Sequence, residues 1–439
     1  MTKKQRIFSF LFTLYWIILW LSINTSPIEE GLLSTINLID FKENFGLSIG
    51  FLRIVVALLS TYLIILYFIF IFFKKKNKNN KIYIFTILSF FSQLVGLYLN
   101  QERSFDVFNT FLPFLCIGCI CLFLLCDQIE IENIIKYFFW IAFFLLCIVF
   151  ITILSFKLTE IKNLNFYSLF SPKDSNIIGH NNPRASGLSR TLAIINLFLI
   201  IYLFSLKNFF MKNFLLLFAV LLSIVIILIE SRGTLFSYFI SLTFIILFLI
   251  NKNNSFRIKY FLKLIILPIV LSIFILNNYT DKEPPTKNDK IINSRIVAFH
   301  TSGRFEILAH IFKKYDYKKI FGYGPQGDRF FLKKDYPGKE KGYGDNSSNI
   351  LAYTLLSGGF VSVLFGFLVF FEIFKILIRN KKNLLFNKDS FYLNLSISCL
   401  IFFLSRSMIE NSFGVFGIDF LMTYLSIAYI LNSSKILIK

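Results

Sequence analysis

The sequence contains few of the residues that proteins use in metal centres and disulfide frameworks. Its three His residues show no ligand spacing, and its six Cys residues all fall within or at the end of apolar segments. Cys116 and Cys119 form a CxxC pair with no His nearby, which favours packing in an apolar interior over zinc binding. No Walker loop and no Ser–His–Asp order stands out either. We therefore expect no metal, no ATP and no other cofactor.

Charged residues are scarce as well. They make up 16% of the 439 positions, whereas hydrophobic residues make up 56% and Phe alone occurs 58 times. The mean hydropathy is +0.68. A soluble protein of this length would have more charge and fewer long apolar runs. The composition therefore predicts an all-α, polytopic membrane protein in which residues 1–439 form a single integral membrane domain.

The formal net charge of +21 raises the question of nucleic-acid binding. The Lys residues, however, concentrate in short segments between apolar runs, where the positive-inside rule places them. We therefore exclude nucleic acid as a partner and expect the chain to be surrounded by membrane lipid.

Apolar runs of about 20 residues, the length that crosses a bilayer, recur along the chain and predict about twelve transmembrane helices. The first run follows Lys3, Lys4 and Arg6, but no small-residue cleavage site comes after it, so we interpret it as a retained helix and not as a signal peptide. The predicted spans are 7–23, 49–73, 82–99, 106–126, 137–156, 191–206, 214–229, 234–250, 261–276, 348–378, 391–405 and 414–431.

The positions of the basic residues predict how these spans are oriented. Basic residues cluster in alternate connections, around 74–81, 207–212, 252–259 and 379–388, and the positive-inside rule assigns these connections to the cytoplasm. Both termini are then cytoplasmic as well. The long connection 277–347 faces the opposite side, and its own Lys residues do not contradict this because long loops escape the charge rule.

The predicted topology places four Arg residues from distant parts of the sequence at the non-cytoplasmic surface of the membrane. They are Arg184, Arg232, Arg304 and Arg406. A guanidinium group binds phosphate oxygens through two parallel N–H donors, so such a cluster suits a lipid-linked diphosphate. The alternative is that each Arg extends to the interface without binding a ligand. The tight turn around Arg232 favours binding, because it leaves that side chain little freedom.

The long outer loop has its own pattern. Residues 303–321 have a helical period, which predicts an amphipathic helix lying on the outer leaflet. The backbone N–H groups of Gly322 and Gly324 could bind an anion, although a plain turn is equally compatible. Asp345 could act as a general base, whereas helix capping is the alternative for Asp345 and Asn346. The predicted apolar face of the loop helix contains Phe305, Leu308, Ile311, Phe312 and Tyr315.

Several short motifs occur in order between residues 180 and 375. They are Pro183–Leu188, Ser231–Gly233 before a helix, Gly303–Arg304 at the start of the loop helix, Gly322–Gly324 at its end, and Asn346 followed by Gly358–Gly359. In these motifs the chain resembles the O-antigen polymerase and ligase family. Members with the ligase pattern usually have His immediately before the residue that matches Asn346, whereas this chain has Asp345, which favours polymerase over ligase.

The resemblance implies a fold like that of the C-type glycosyltransferases, with 277–347 as a large periplasmic loop. It implies a metal-independent glycosyltransferase at the periplasmic face of the inner membrane, whose donor is an oligosaccharide linked to undecaprenyl diphosphate. A chain-length regulator and a flippase are the expected protein partners. Arg232, Arg304 and Asp345 would be catalytic, and the residues expected to bind substrate or shape its site are Arg184, Asn346, Arg406, Glu410, Gly322 and Gly324. Arg406 and Glu410 are expected to pair.

Three functions remain open at this stage. A polymerase that joins oligosaccharide repeat units is favoured, and a ligase that transfers the glycan to lipid A core comes second. A flippase or secondary transporter of lipid-linked glycan is the third. Transporters place ionisable residues near the middle of the membrane, whereas the strong charges here are predicted at its outer surface.

Overall fold

The computed structural model describes residues 81–100, 185–206, 208–228, 231–249, 254–279, 304–335, 349–379, 391–409 and 418–438, together with residues 114, 115, 118, 121, 125, 140 and 347. Within these residues every regular element is helical, as the composition predicts. The helices are α1 (Lys81–Leu99), α2 (Ala185–Ser205), α3 (Phe209–Leu228), α4 (Arg232–Phe244), α5 (Asn254–Phe261), α6 (Leu267–Tyr279), α7 (Arg304–Lys314), α8 (Gly327–Asp335), α9 (Ile350–Arg379), α10 (Phe391–Ser407) and α11 (Ile418–Ile438). Two π-helical turns, Ile245–Leu249 and Leu262–Ile266, extend α4 and join α5 to α6.

In the described part of the chain, three helical segments are long and apolar enough to cross a membrane, namely Lys81–Leu99, Phe209–Leu228 and Ile350–Ile378. Shorter apolar segments lie in α2, α4, α10 and α11. Each predicted span from 191–206 onward coincides with observed helical structure. This agreement confirms an all-helical architecture of membrane type for the described part of the chain.

The predicted total of about twelve spans depends also on the N-terminal part of the chain. The predicted spans 7–23 and 49–73 lie outside the described residues. The spans 106–126 and 137–156 are described only at isolated positions. The total therefore stays a prediction.

Helices α2, α3 and α4 follow one another through short connections and are joined by a buried polar side chain. Asn196 Nδ2 in α2 lies 3.0 Å from the carbonyl oxygen of Ala219, 2.9 Å from Ser223 Oγ and 2.8 Å from Tyr238 Oη, and its two N–H groups share these three acceptors. A buried amide needs such partners, because burying it without them is unfavourable. These bonds hold the three helices at one level, so α2 and α4 begin at the same end of the bundle.

Helix α1 packs lengthwise and antiparallel against α9. The rings of Phe85 and Phe365 stack with their centroids 6.1 Å apart, and the Oγ atoms of Ser89 and Ser362 lie 2.9 Å apart. Residue numbers therefore rise along α1 as they fall along α9. Near the end of α1, a Cβ atom at Gly96 would overlap the carbonyl oxygen of Phe321, so glycine allows a loop to approach the helix at this point.

Helix α9 is interrupted at Gly359, whose φ of 65° lies in the region that favours glycine. The loop 320–327 fills this break. The N–H of Tyr323 donates to the carbonyl oxygen of Leu356 at 2.7 Å, and the N–H of Gly324 donates to that of Ser357 at 2.8 Å. These bonds satisfy carbonyl groups that the interrupted helix does not pair. The part of α9 beyond the break, residues 360–379, has the roughly 20 residues that a transmembrane helix needs.

Helices α7 and α8 pack against the first turns of α9. The amphipathic helix predicted for 303–321 is confirmed as α7, but it ends at Lys314. Its apolar face is turned toward protein and not toward lipid, and Phe312, predicted for that face, is 42% exposed. Helix α8 was not expected, because its glycine-rich start predicted only a turn. The buried residues of this cluster are Ile307, Ile311, Tyr315, Tyr323, Phe331, Leu332, Ala352, Leu355 and Leu356.

Candidate functional site

The described candidate residues lie at one end of the helix bundle. Helices α2 and α4 begin at this end. The side chain of Asn349 caps α9 by accepting the N–H of Leu351 at 2.8 Å, and its Nδ2 donates to the carbonyl oxygen of Met408 at 2.8 Å. The start of α9 is therefore tied to the end of α10. Helix α7 and loop 320–327 contact the first turns of α9, so they lie at the same end.

Three charged side chains form an ion-pair cluster at this end of the bundle. Arg190 Nη1 in α2 lies 2.9 Å from Asp419 Oδ1 in α11, and Arg406 Nη1 in α10 donates to Asp419 Oδ2. The side chains of Arg406 and Asp419 are almost fully buried, and that of Arg190 is 15% exposed. One carboxylate thus pairs with two guanidinium groups from different helices. Charge-assisted bonds in buried surroundings fix the positions of both Arg side chains.

The observed partner of Arg406 is Asp419. Glu410, the predicted partner, lies outside the described residues. Arg190 and Asp419 are absent from the predicted site, although a sequence signal for them exists. Each is a single charge in the first turns of an apolar helix, and an ionisable residue in such a position is expected to have a partner or a function.

Arg232 and Arg304 are each the first residue of a helix, α4 and α7 respectively, and the structure describes their backbone. The residue before α4 is Ser231, whose hydroxyl donates to Thr234 Oγ1 at 3.2 Å and does not cap the helix. The first N–H groups of a helix have no partner within that helix, and the helix dipole favours an anion near them. Both predicted arginines therefore stand where the backbone itself favours negative charge.

Gly322 and Gly324 lie in the loop that packs against α9. The N–H of Gly322 donates to the carbonyl oxygen of Lys319 at 3.1 Å, and the N–H of Gly324 donates to that of Ser357. Both amide groups are therefore occupied by protein acceptors in this conformation. They dock loop 320–327 against α9 and do not present free donors to an anion.

Asp328 anchors the segment that leads into α9. Its Oδ2 accepts the N–H of Ser347 at 3.0 Å and the Ser347 hydroxyl at 3.1 Å. Burial raises the pKa of the Asp328 carboxyl, and the hydrogen bonds from Ser347 and Arg329 oppose that rise only in part. Ser347 follows directly after Asp345 and Asn346 in the sequence, so Asp328 fixes the chain next to these two candidates.

Several predicted site residues lie outside the described residues. These are Arg184, Asp345, Asn346 and Glu410. The described part of the chain places Arg406, the starts of α4 and α7 at Arg232 and Arg304, and loop 320–327 with Gly322 and Gly324 at the same end of the bundle.

Residues 217–371 match the family model described as O-antigen ligase. The matched segment runs from α3 to α9 and includes the starts of α4 and α7, loop 320–327 and the break at Gly359. No curated protein and no solved structure matches the chain.

Proposed function

Residues 217–371 match the O-antigen ligase family model, and from this premise we propose that the protein is an O-antigen polymerase. The family supports a membrane enzyme of the glycosyltransferase type that acts in surface polysaccharide synthesis. Within that class, the proposed reaction joins oligosaccharide repeat units that are linked to undecaprenyl diphosphate. The proposed site is the periplasmic face of the inner membrane, with both termini in the cytoplasm.

In the proposed reaction, a hydroxyl group of the acceptor sugar attacks the anomeric carbon of the donor glycan. A glycosidic C–O bond forms, the bond between that carbon and the diphosphate oxygen breaks, and undecaprenyl diphosphate leaves. The proton of the hydroxyl goes to a base, for which Asp345 is the candidate. The developing negative charge on the leaving group requires fixed positive groups nearby.

Arg232 and Arg304 are the proposed groups that stabilise the leaving diphosphate, with Arg184 in support. Their positions at the starts of α4 and α7 favour this role, because the helix N-terminus adds its own positive potential. Arg406 adds positive charge from α10, where Asp419 holds it in place. Asn346 and Glu410 are proposed to shape the site, whereas Gly322 and Gly324 contribute by docking the loop.

The single observation that carries this proposal is the match of residues 217–371, because that segment contains Arg232, Arg304 and the docked loop together. The test is Arg232→Ala and Arg304→Ala in a strain that lacks the chromosomal copy. We expect both variants to reach the membrane at normal levels and to abolish long-chain glycan on a gel of extracted lipopolysaccharide.

Arg257→Ala is the matched control, because this Arg lies in α5, next to a predicted cytoplasmic connection. It should leave the glycan pattern unchanged. Normal chain lengths in both Arg232→Ala and Arg304→Ala would contradict the proposed role of these residues in diphosphate binding.

A ligase is the second candidate, because the match of residues 217–371 is compatible with either function. Asp345, which stands where the ligase pattern has His, is the reason for proposing a polymerase first. A deletion strain separates the two functions on the same gel. Core carrying one repeat unit indicates that a polymerase has been lost. Core alone, with polymer accumulating on the carrier lipid, indicates that a ligase has been lost. A chain-length regulator and a flippase are the protein partners that the polymerase proposal implies.

A further inference from the structure

A cavity with polar and aromatic walls lies between α1, α9 and α11, beside the break in α9. Its volume is about 60 Å³, and it opens to the surface. Its polar walls come from Ser89, Gln93, Thr354 and Ser362. None of these residues belongs to the site described above.

Gln93 is the residue that points to a ligand. It is 4% exposed, and its Oε1 has no hydrogen-bond donor among the described residues. Leaving a buried acceptor unpaired costs about 1–3 kcal/mol. A ligand that supplies an O–H or N–H group to this oxygen would remove that penalty.

Aromatic rings form another wall of the cavity. Phe420 and Tyr424 lie with their ring centroids 4.7 Å apart, and Phe90 lies 6.0 Å from Phe420. Aromatic surface together with hydroxyl and amide groups matches the chemistry of a sugar ring, which has apolar C–H faces and a rim of hydroxyl groups. A hydrocarbon chain would fit less well, because it would leave Gln93 Oε1 unpaired.

The cavity also lies next to the ion-pair cluster. Phe420, which lines the cavity, directly follows Asp419, and Ile350, which also lines it, directly follows the helix-capping Asn349. We infer that this cavity receives the hydroxyl-bearing edge of one sugar residue of the glycan substrate, with Gln93 Oε1 accepting a hydrogen bond from a sugar hydroxyl. The inference rests on the proposed function and assigns it a subsite between α1, α9 and α11.

The test uses Thr354→Cys in the full-length protein in detergent. Thr354 is a partly exposed residue of the cavity wall, so its Cys variant should react with a charged methanethiosulfonate reagent faster than the parent chain does. Lipid-linked oligosaccharide purified from the deletion strain should slow this labelling at least severalfold. Leu351→Cys is the matched control, because Leu351 is 53% exposed in the same turn of α9 but outside the cavity, and its labelling should not change.

Two further ligands identify what occupies the cavity. Free oligosaccharide should protect Thr354→Cys at higher concentration, whereas undecaprenyl diphosphate without sugar should not protect it. Equal protection by the glycan-free lipid would overturn the inference in favour of a lipid site. Absence of protection by any glycan would overturn it altogether.

Gln93→Leu, introduced into the Thr354→Cys chain, should raise the half-protecting glycan concentration about tenfold, as expected for the loss of one buried hydrogen bond. Ser92→Ala is the control, because Ser92 is buried in the same helix and donates to the carbonyl oxygen of Ser89 but does not line the cavity. Unchanged protection in Gln93→Leu would contradict the assigned role of Gln93. If the deletion strain makes normal glycan, the proposed function fails; if only protection is absent, the sugar subsite fails and the function stands.

Discussion

Arg190 of α2 lies 2.9 Å from Asp419 of α11, so one ion pair joins the ends of two helices that are far apart in the sequence. Asp419 also pairs with Arg406 of α10. Removing the carboxylate would leave two guanidinium groups in largely buried surroundings. The stability of this end of the bundle therefore depends on a single acidic residue.

Asp419→Asn should lower the apparent unfolding temperature of the purified protein, because breaking a buried pair by removing one partner costs about 3–5 kcal/mol. Thermal unfolding in detergent measures this. Glu372→Gln is the matched acid-to-amide control, because the Glu372–Lys375 pair is 3.7 Å apart and more exposed, so its loss should have little effect. Equal unfolding temperatures for Asp419→Asn and the parent protein would show that the cluster does not stabilise the fold.

Gly359→Ala tests the junction between α9 and loop 320–327. A Cβ atom here would overlap the carbonyl oxygen of Ile320, and the φ of 65° is unfavourable for alanine. We expect a loss of at least about 2 kcal/mol, because steric overlap adds to the backbone strain. Thermal stability in detergent and the yield of monodisperse protein are the measurements.

Gly366→Ala is the control for Gly359→Ala, since it lies in the same helix and its added Cβ would meet nothing within 4 Å. It should be neutral or stabilise the helix by up to about 1 kcal/mol. If the two substitutions had the same effect, the break at Gly359 would not be required for folding.

The buried carboxyl of Asp328 predicts a pH dependence of stability. Burial raises its pKa in the folded protein, so the folded state binds a proton more tightly than the unfolded state does. The contribution of Asp328 to stability is therefore fully present below the ordinary carboxyl pKa of about 3.9 and is lost as the pH rises through the raised value. Asn resembles the neutral form of Asp328, so the stability of Asp328→Asn should depend less on pH over this range.

Unfolding temperatures of the parent protein and Asp328→Asn, measured in parallel across acidic to neutral pH, test this prediction. The unfolding temperature of Asp328→Asn should rise relative to that of the parent protein as the pH rises. Asp316→Asn is the control, because Asp316 is exposed and its carboxylate accepts a hydrogen bond from the N–H of Lys318. A constant difference between the Asp328→Asn variant and the parent at all pH values would contradict the assignment.

Asn196 tests how α2, α3 and α4 are held together. Asn196→Ala removes hydrogen bonds to both neighbouring helices and should cost about 1–2 kcal/mol, the upper part of the range for bonds between membrane helices. Tyr238→Phe should cost less, because Asn196 still bonds to Ala219 and Ser223. A larger loss of thermal stability in Tyr238→Phe than in Asn196→Ala would contradict this order.

The helices were the most predictable part of the structure, because long apolar runs such as 214–229 and 348–378 produce a strong local signal. The helical period around Ile311 also predicts α7. What covers its apolar face could not be predicted, since the same pattern suits lipid or a protein surface equally well. Helix α8 was missed because Gly327 at its start resembles a turn residue.

The candidate site was less predictable, because it depends on contacts between distant segments. Arg406 is conspicuous in the sequence, but its partner Asp419 is chosen by the packing of α10 against α11. The glycines of loop 320–327 indicate a special backbone conformation without indicating its purpose. Only the structure shows that the N–H of Gly324 donates a hydrogen bond to the carbonyl oxygen of Ser357. The predicted roles of Arg184, Arg232, Arg304, Asp345, Asn346 and Glu410 stay predictions.

The docking of loop 320–327 onto α9 also bears on the order of events during biosynthesis. The loop is synthesised before α9, and Gly96, against which the same loop packs, is synthesised earlier still. The carbonyl groups of Leu356 and Ser357 find their partners only after the loop and α9 have met. The loop therefore waits for a later segment of the chain, and a chain released before Leu356 would lack the surface against which the loop packs.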